Sequence, residues 1–134
     1  MIAVAPSRSW FKGKPGDLIE IFCWGYHHWA VYIGENEVVH LVNEGGQSSG
    51  WFKNLSRSTG KVKREKLANL LGLKGYRVNN LLDEEYDARD PSIIVKEAYA
   101  MVGRELQYNV DTYNCEHFAN EMRYGKAESR QVCI

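Results

Sequence analysis

The stretch Asn114-Cys115-Glu116-His117-Phe118 constrains this chain most, because it marks a helix start whose buried face is already chosen. Asn114 is a strong N-cap and Gly125 suits the C-terminal cap. Between them Cys115, Phe118, Ala119 and Met122 recur at i, i+3, i+4 and i+7, one face of a helix. That face needs an apolar surface to lie on, and strands upstream supply it. Asp17-Leu18-Ile19-Glu20-Ile21-Phe22 reads as a largely buried strand. Trp29–Ile33 and Val38–Val42 read as two more, joined around Gly34-Glu35-Asn36-Glu37 at hairpin spacing. The expected architecture is α+β: an antiparallel sheet with the cysteine-bearing helix packed on it.

The remaining segments fit that frame. Further strands are expected near Lys61–Leu67 and Tyr76–Asn79, with a turn or short helical piece at Ala68–Leu73. Asp90-Pro91 reads as an N-cap followed by a first-turn proline. The helix it starts runs to about Val102, ends at Gly103, and carries Ile94, Val95, Ala98, Met101 and Val102 as its apolar stripe. A short extended piece, Leu106–Asn109, leads to the cysteine helix. Gly45–Gly60, rich in Gly, Ser and Asn, reads as a long loop, a length that is often functional. Residues 1–16 read as an N-terminal arm and residues 17–134 as a single domain.

A chain of 134 residues with 44% hydrophobic content is long enough to bury one real core. Seventeen basic and seventeen acidic residues cancel, so no global field recruits nucleic acid. Locally, Gly45 to Lys66 holds Lys53, Arg57, Lys61, Lys63, Arg64 and Lys66 against Glu65 alone. Three widely spaced cysteines with no CxxC argue against a disulfide framework or a structural zinc site, and for a reducing, cytoplasmic setting. No signal-peptide core is present, and no run approaches the roughly 20 apolar residues that span a bilayer. The chain reads as soluble and, by default, monomeric.

A cysteine at a helix start sits where unpaired backbone N–H groups and the macrodipole favour thiolate over thiol. His28 and His40 lie on the two strands of the hairpin, and an imidazole folded back onto Cys115 would complete a Cys–His pair for acyl transfer. Parity is the condition. A plain two-residue turn at Glu35-Asn36 puts the two histidines on opposite faces, whereas a bulge or an odd loop puts them on one. On one face, one imidazole serves as base and acid while the other orients it. His27 faces the other way and His117 lies about 200° round the helix from Cys115, so neither is given a catalytic role. Cys23 and Cys133 have no comparable setting. The four histidines show no metal-ligand spacing. Trp51 and Phe52, with Lys53 and Arg57, suit contact with an anionic membrane surface, as rings at headgroup level and cations on phosphate.

Several segments together resemble one family. Pro15-Gly16-Asp17-Leu18-Ile19-Glu20, His28-Trp29-Ala30-Val31-Tyr32-Ile33-Gly34, Val39-His40-Leu41, Asn114-Cys115-Glu116-His117-Phe118 and Arg123-Tyr124-Gly125 are similar to the phospholipase A/acyltransferase, or HRAS-like suppressor, proteins. These fall within the lecithin:retinol acyltransferase group. The resemblance implies a circularly permuted, papain-like domain of NlpC type, with histidines first and nucleophile last. It implies a calcium-independent phospholipase A1/A2 that also transfers acyl chains, including onto the amine of phosphatidylethanolamine. Cys115 would then be nucleophile, His28 general base, His40 its orienting partner and Tyr26 an oxyanion stabiliser. No metal or organic cofactor is required. The implied partners are phosphatidylcholine, phosphatidylethanolamine and the membrane surface, and the implied location is peripheral to intracellular membranes. Family members commonly carry a hydrophobic C-terminal anchor, which this sequence does not show. A cysteine peptidase or amidase on the same fold, or a non-enzymatic adaptor, is the alternative.

Overall fold

The hairpin that carries His28 and His40 forms with one irregularity, and that irregularity decides where they point. In the computed structural model, which describes residues 10–44, 57–109 and 112–129, its strands are β2 (Tyr26–Gly34) and β3 (Glu37–Asn43). Glu35 and Asn36 form the connecting turn with φ of 53° and 62°, the signature of a two-residue type I′ hairpin. That turn alone would separate the histidines. A bulge between Tyr32 and Gly34 shifts the pairing to Tyr32↔Val38 and Val31↔Val39, and the extra residue returns His28 and His40 to one face. Gly34 takes φ 101° at this point, a conformation that a side chain would strain.

Four more strands complete the sheet: β1 (Leu18–Cys23), β4 (Arg57–Lys66), β5 (Tyr76–Val78) and β6 (Glu105–Asn109). The order is β5-β1-β2-β3-β4-β6, every neighbour antiparallel. Between β2 and β3 the pairing stops at Val31↔Val39. Beyond it β2 stays with β1, from Ala30↔Ile19 to Tyr26↔Cys23, while β3 stays with β4, from His40↔Lys63 to Asn43↔Gly60. The sheet is therefore parted between its two central strands over the half that holds both histidines.

Three α-helices cover it: α1 (Leu67–Leu71), α2 (Pro91–Met101) and α3 (Cys115–Tyr124), with a 3₁₀ turn at Leu81–Glu84. Strand alternation divides the core. Leu18, Trp29, Val31, Val39 and Leu41 pack with Ile94 and Ala98 of α2 and Phe118, Ala119 and Met122 of α3. Ile19, Ile21, Ala30, Tyr32 and Val38 face the other way, against Phe11, Leu67 and Leu71. Phe118 is wholly buried; removing such a ring costs about 3–5 kcal/mol. The far end of α3 is tied down by Arg123. Its guanidinium donates to both Asp83 carboxylate oxygens at 3.0 and 3.1 Å, and to the Gly16 carbonyl at 2.8 Å. A planar fork is suited to such two-point contacts.

Several boundaries differ from the sequence expectation, β2 among them, which begins at Tyr26 rather than Trp29. β4 begins at Arg57, so the end of the expected loop is strand, held by pairing with both β3 and β6. The piece around Leu106–Asn109 is a full sheet strand rather than a connector. α2 stops at Met101, and Val102 is exposed where Gly103 reverses the chain at φ 90°. Trp51, Phe52 and Lys53 lie outside the described residues, as does the side chain of Arg57. Among the described residues, no helix is long and apolar enough to cross a membrane.

Candidate active site

Cys115 is the first residue of α3 and is 3% exposed. The Asn114 carboxamide oxygen caps the helix, accepting from the backbone N–H groups of Glu116 at 2.9 Å and His117 at 3.1 Å. The Cys115 Sγ stands 4.0 Å from the His27 carbonyl oxygen and beside the Trp29 backbone N–H. Which edge of β2 those groups occupy follows from its pairing. Tyr32 exchanges backbone bonds with Asp17 and Gly16, so even-numbered residues of β2 turn their backbone groups to β1 and odd-numbered ones turn away. The groups at His27 and Trp29 therefore point into the parting that β3 leaves open. The thiol sits there, at a strand edge flanking His28, while packing in the same core cluster as Phe118, Ala119 and Met122, as the apolar stripe predicts.

His28 and His40 meet across the same parting. His28 Nε2 and His40 Nδ1 are 2.7 Å apart, and His40 Nε2 is 2.9 Å from a carboxylate oxygen of Glu65. His40 is 2% exposed. Two cavities meet at His28, Tyr26 and Val42. One continues past Ile21, Cys23, His40, Glu65, Leu70 and Lys74; the other past Leu41, Asn43 and Tyr108.

This geometry comes with clear kinship. The sequence matches the lecithin retinol acyltransferase family description over residues 12–128. It is 49% identical over 123 residues to human phospholipase A and acyltransferase 4, covering 89% of this chain and 74% of that one. It is 46% identical over 124 residues to human phospholipase A and acyltransferase 2 (90% and 76% covered). It is also 45% identical over 122 residues to mouse phospholipase A and acyltransferase 3 (89% and 75%). The chain belongs to the lecithin retinol acyltransferase family.

In this family member burial dominates the electrostatics of the site. Burial pushes the Cys115 thiol up to about 11, helped by the neighbouring Glu116 carboxylate and opposed by the Trp29 N–H and the Tyr108 hydroxyl. Burial also pushes His28 down to about 3, with the nearby His40 and Lys74 charges adding to it. His40 is lowered by burial, although the Glu65 carboxylate pulls the other way. The desolvation cost of a charge exceeds what a helix terminus returns. Burial therefore works against the thiolate that the helix start favours, and against a charged imidazole at His28.

The remaining histidines have structural partners. His27 Nδ1 pairs with the buried Glu20 carboxylate, which also accepts from Arg77 and Asn79. His117 Nδ1 accepts from the Asn114 N–H at 3.0 Å, closing a reciprocal capping box. Tyr26 is 60% exposed and lies beside Cys23, its cross-strand partner. Two residues beside the thiol and the histidine pair escaped the sequence reading. Tyr108 of β6 lays its hydroxyl against both the thiol and the backbone N–H of Cys115. Alternation along Glu105–Asn109 is the signal that would have turned Leu106 and Tyr108 inward. Glu65 stands opposite Val38 in the β3–β4 register and so shares the face of His40. As the lone acid of a basic strand it stood out by composition, but only the register connects it to a histidine.

Proposed function

We propose that this protein is a calcium-independent phospholipase A1/A2 that also transfers acyl groups between phospholipids, through an acyl-thioester on Cys115. The observation that carries the reading is the thiol seated at the parting that His28 and His40 span, in a chain whose relatives are named phospholipase A and acyltransferase. The matching fold reading is a circularly permuted, papain-like domain of NlpC type, in which the histidines precede the nucleophile.

Because burial disfavours charge on both partners, sulfur attack on the sn-1 or sn-2 ester carbonyl and proton transfer from Cys115 to His28 proceed together. The tetrahedral oxyanion is met by the Cys115 N–H and by tyrosine hydroxyls. Tyr108, already against the thiol, is the inner donor and Tyr26 the outer one. His28 returns the proton to the departing lysophospholipid oxygen. Water, the amine of phosphatidylethanolamine or a lysophospholipid hydroxyl then gives up a proton to His28 and takes the acyl group. The scheme needs no metal or organic cofactor. A monomer working at the face of intracellular membranes suffices.

Lipid is favoured over peptide by the rim of the cleft. Trp24 at the β1–β2 turn is 96% exposed and Leu73, next to cavity-lining Lys74, is fully exposed. Such side chains suit an acyl–headgroup boundary.

The test is intact-protein mass spectrometry after brief incubation with mixed-chain phosphatidylcholine micelles, calcium chelated and the reaction quenched in acid. A fatty-acyl mass on Cys115, released lysophospholipid and neither with Cys115→Ser are expected. Added phosphatidylethanolamine should divert acyl groups to its amine. A folded protein with no adduct and no turnover would overturn the lipid reading in favour of a peptidase or an adaptor.

A further inference from the structure

The His28–His40 pair leaves one question of chemistry open, namely which ring nitrogen faces the thiol as a base. A neutral imidazole carries one N–H and one lone pair, so two rings joined by a hydrogen bond have two possible directions. The third member of the chain removes the ambiguity. A carboxylate only accepts, so the 2.9 Å contact between Glu65 and His40 Nε2 requires the proton to be on Nε2. His40 Nδ1 is then the acceptor, and at 2.7 Å its partner must be a protonated His28 Nε2. That leaves the lone pair of His28 on Nδ1.

We propose that Glu65 is a positioning residue that sets the direction of this chain: it holds both histidines as Nε2–H tautomers and so makes His28 Nδ1 the base for Cys115. The inference rests on the reading of Cys115 as nucleophile and His28 as base, and adds the group that selects between two states of that base. When the Sγ–H bond breaks, the new bond is Nδ1–H. The His28 imidazolium keeps donating from Nε2, and no proton passes to His40 or Glu65. The Nδ1 proton later leaves with the lysophospholipid oxygen, which restores the starting tautomers. Glu65 faces the transient positive charge through His40.

The fold places Glu65 for this task. Val38↔Glu65 and His40↔Lys63 are consecutive same-face pairs of β3 and β4, so the carboxylate reaches His40 diagonally. The competing cation on that face, Lys63, is occupied by Glu44 at 2.7 Å. Lys61, opposite Val42, shares that face, and Lys74 beyond α1, Cys23 of β1, Tyr26 of β2 and Tyr108 of β6 line the cavities at the two rings.

The decisive measurement is long-range ¹H–¹⁵N correlation NMR of the native protein with ¹⁵N-histidine, which reports tautomers without using activity. His28 and His40 should both appear as Nε2–H forms; an Nδ1–H form of His40 would overturn the proposal. Glu65→Gln supplies the second arm. Its amide can donate as well as accept, so part of the population should invert, with His28 Nδ1 protonated and unable to act as base. On short-chain phosphatidylcholine, kcat should fall about 10- to 100-fold with KM nearly unchanged, as for other groups that orient a reacting histidine. Glu65→Asp should recover part of that loss. Unchanged tautomers and unchanged kcat in a folded Glu65→Gln protein would overturn the proposal. A failure of the thioester reading would instead show as missing acyl adduct in the native protein, with the tautomer result standing by itself.

Discussion

The two halves of the β2–β3 hairpin use the same backbone in opposite ways. Near the turn, from Val31 to Gly34, the strands pair with each other and their side chains are buried on both faces. Beyond Val31↔Val39 they part, each holding only its outer neighbour, and the inner edge of β2 faces a thiol instead of a strand. The closed half contributes stability in the ordinary way, through ladder bonds and apolar burial. The open half creates a slot in which residues from opposite sheet faces can converge on one carbonyl. A continuous sheet would keep Cys115, packed with Trp29, on one side and His28 on the other.

Neighbouring residues on the open half give the largest test of this contrast. His28→Gln should lower kcat by at least about 10³-fold, the scale set by removing a general base. His27→Gln, one position away and directed to Glu20, should change kcat less than about threefold. Its effect should be on stability, because Glu20 is buried and would lose one of its partners. Steady-state turnover and thermal melts on both variants measure this. Equal kinetic losses would mean that strand alternation does not separate their roles.

The open half should also have its own pH response. With its thiol pushed up to about 11, Cys115 reacts as a minor thiolate, so iodoacetamide labelling should rise about tenfold per pH unit from 7 to 10. A preformed thiolate–imidazolium pair would instead label at a nearly constant rate across neutral pH. Stability follows the same shifts with opposite signs. The folded value of His28, about 3, lies below that of an unfolded histidine, so its contribution is present above about pH 6.5 and lost as pH falls toward 3. The folded value of Cys115 lies above that of a free thiol, so its contribution is lost as pH rises from about 8.5 toward 11. Chemical denaturation at intervals across this range checks both.

Gly60 links the sheet to Tyr108. A Cβ there would come within 2.9 Å of the Leu41 side chain and 3.2 Å of the Tyr108 ring. Gly60→Ala should therefore shift the Tyr108 hydroxyl from the Cys115 N–H and lower kcat about tenfold, on the scale of part of an oxyanion contact. Tyr108→Phe should give a similar loss, and the double variant little more, if both act through that hydroxyl. Additive losses would disconnect Gly60 from the site.

Much of this was legible in the residues. Caps at Asp90, Asn114 and Gly125 are local chemistry, and both helix starts fall where those residues stand. The hairpin turn was legible for the same reason. What remained hidden depended on contacts between distant segments. The bulge at Ile33 is one residue in a smooth apolar run, and only the core's demand on both faces of β3 reveals it. Glu65 and Tyr108 reach the site through strand register, which no single strand encodes. The opposing pull of burial on the thiol was not legible either, because a helix start is visible in sequence whereas the depth of its burial is not.

The smallest expected effect concerns the mouth of the open half rather than its interior. Trp24 lines neither cavity at the histidines, yet it is the most exposed aromatic side chain of the described residues and stands at the turn that leads into Tyr26. If lipid enters there, Trp24→Ala should reduce turnover of phosphatidylcholine vesicles about three- to tenfold by weakening interfacial binding, the scale of a fraction of one aromatic burial. It should leave turnover of a monomeric short-chain phosphatidylcholine unchanged. Leu73→Ser should behave alike. A loss on the monomeric substrate as large as on vesicles would mean that the turn shapes the slot itself. No loss on either would move the lipid-facing surface elsewhere, to the segment that holds Trp51 and Phe52.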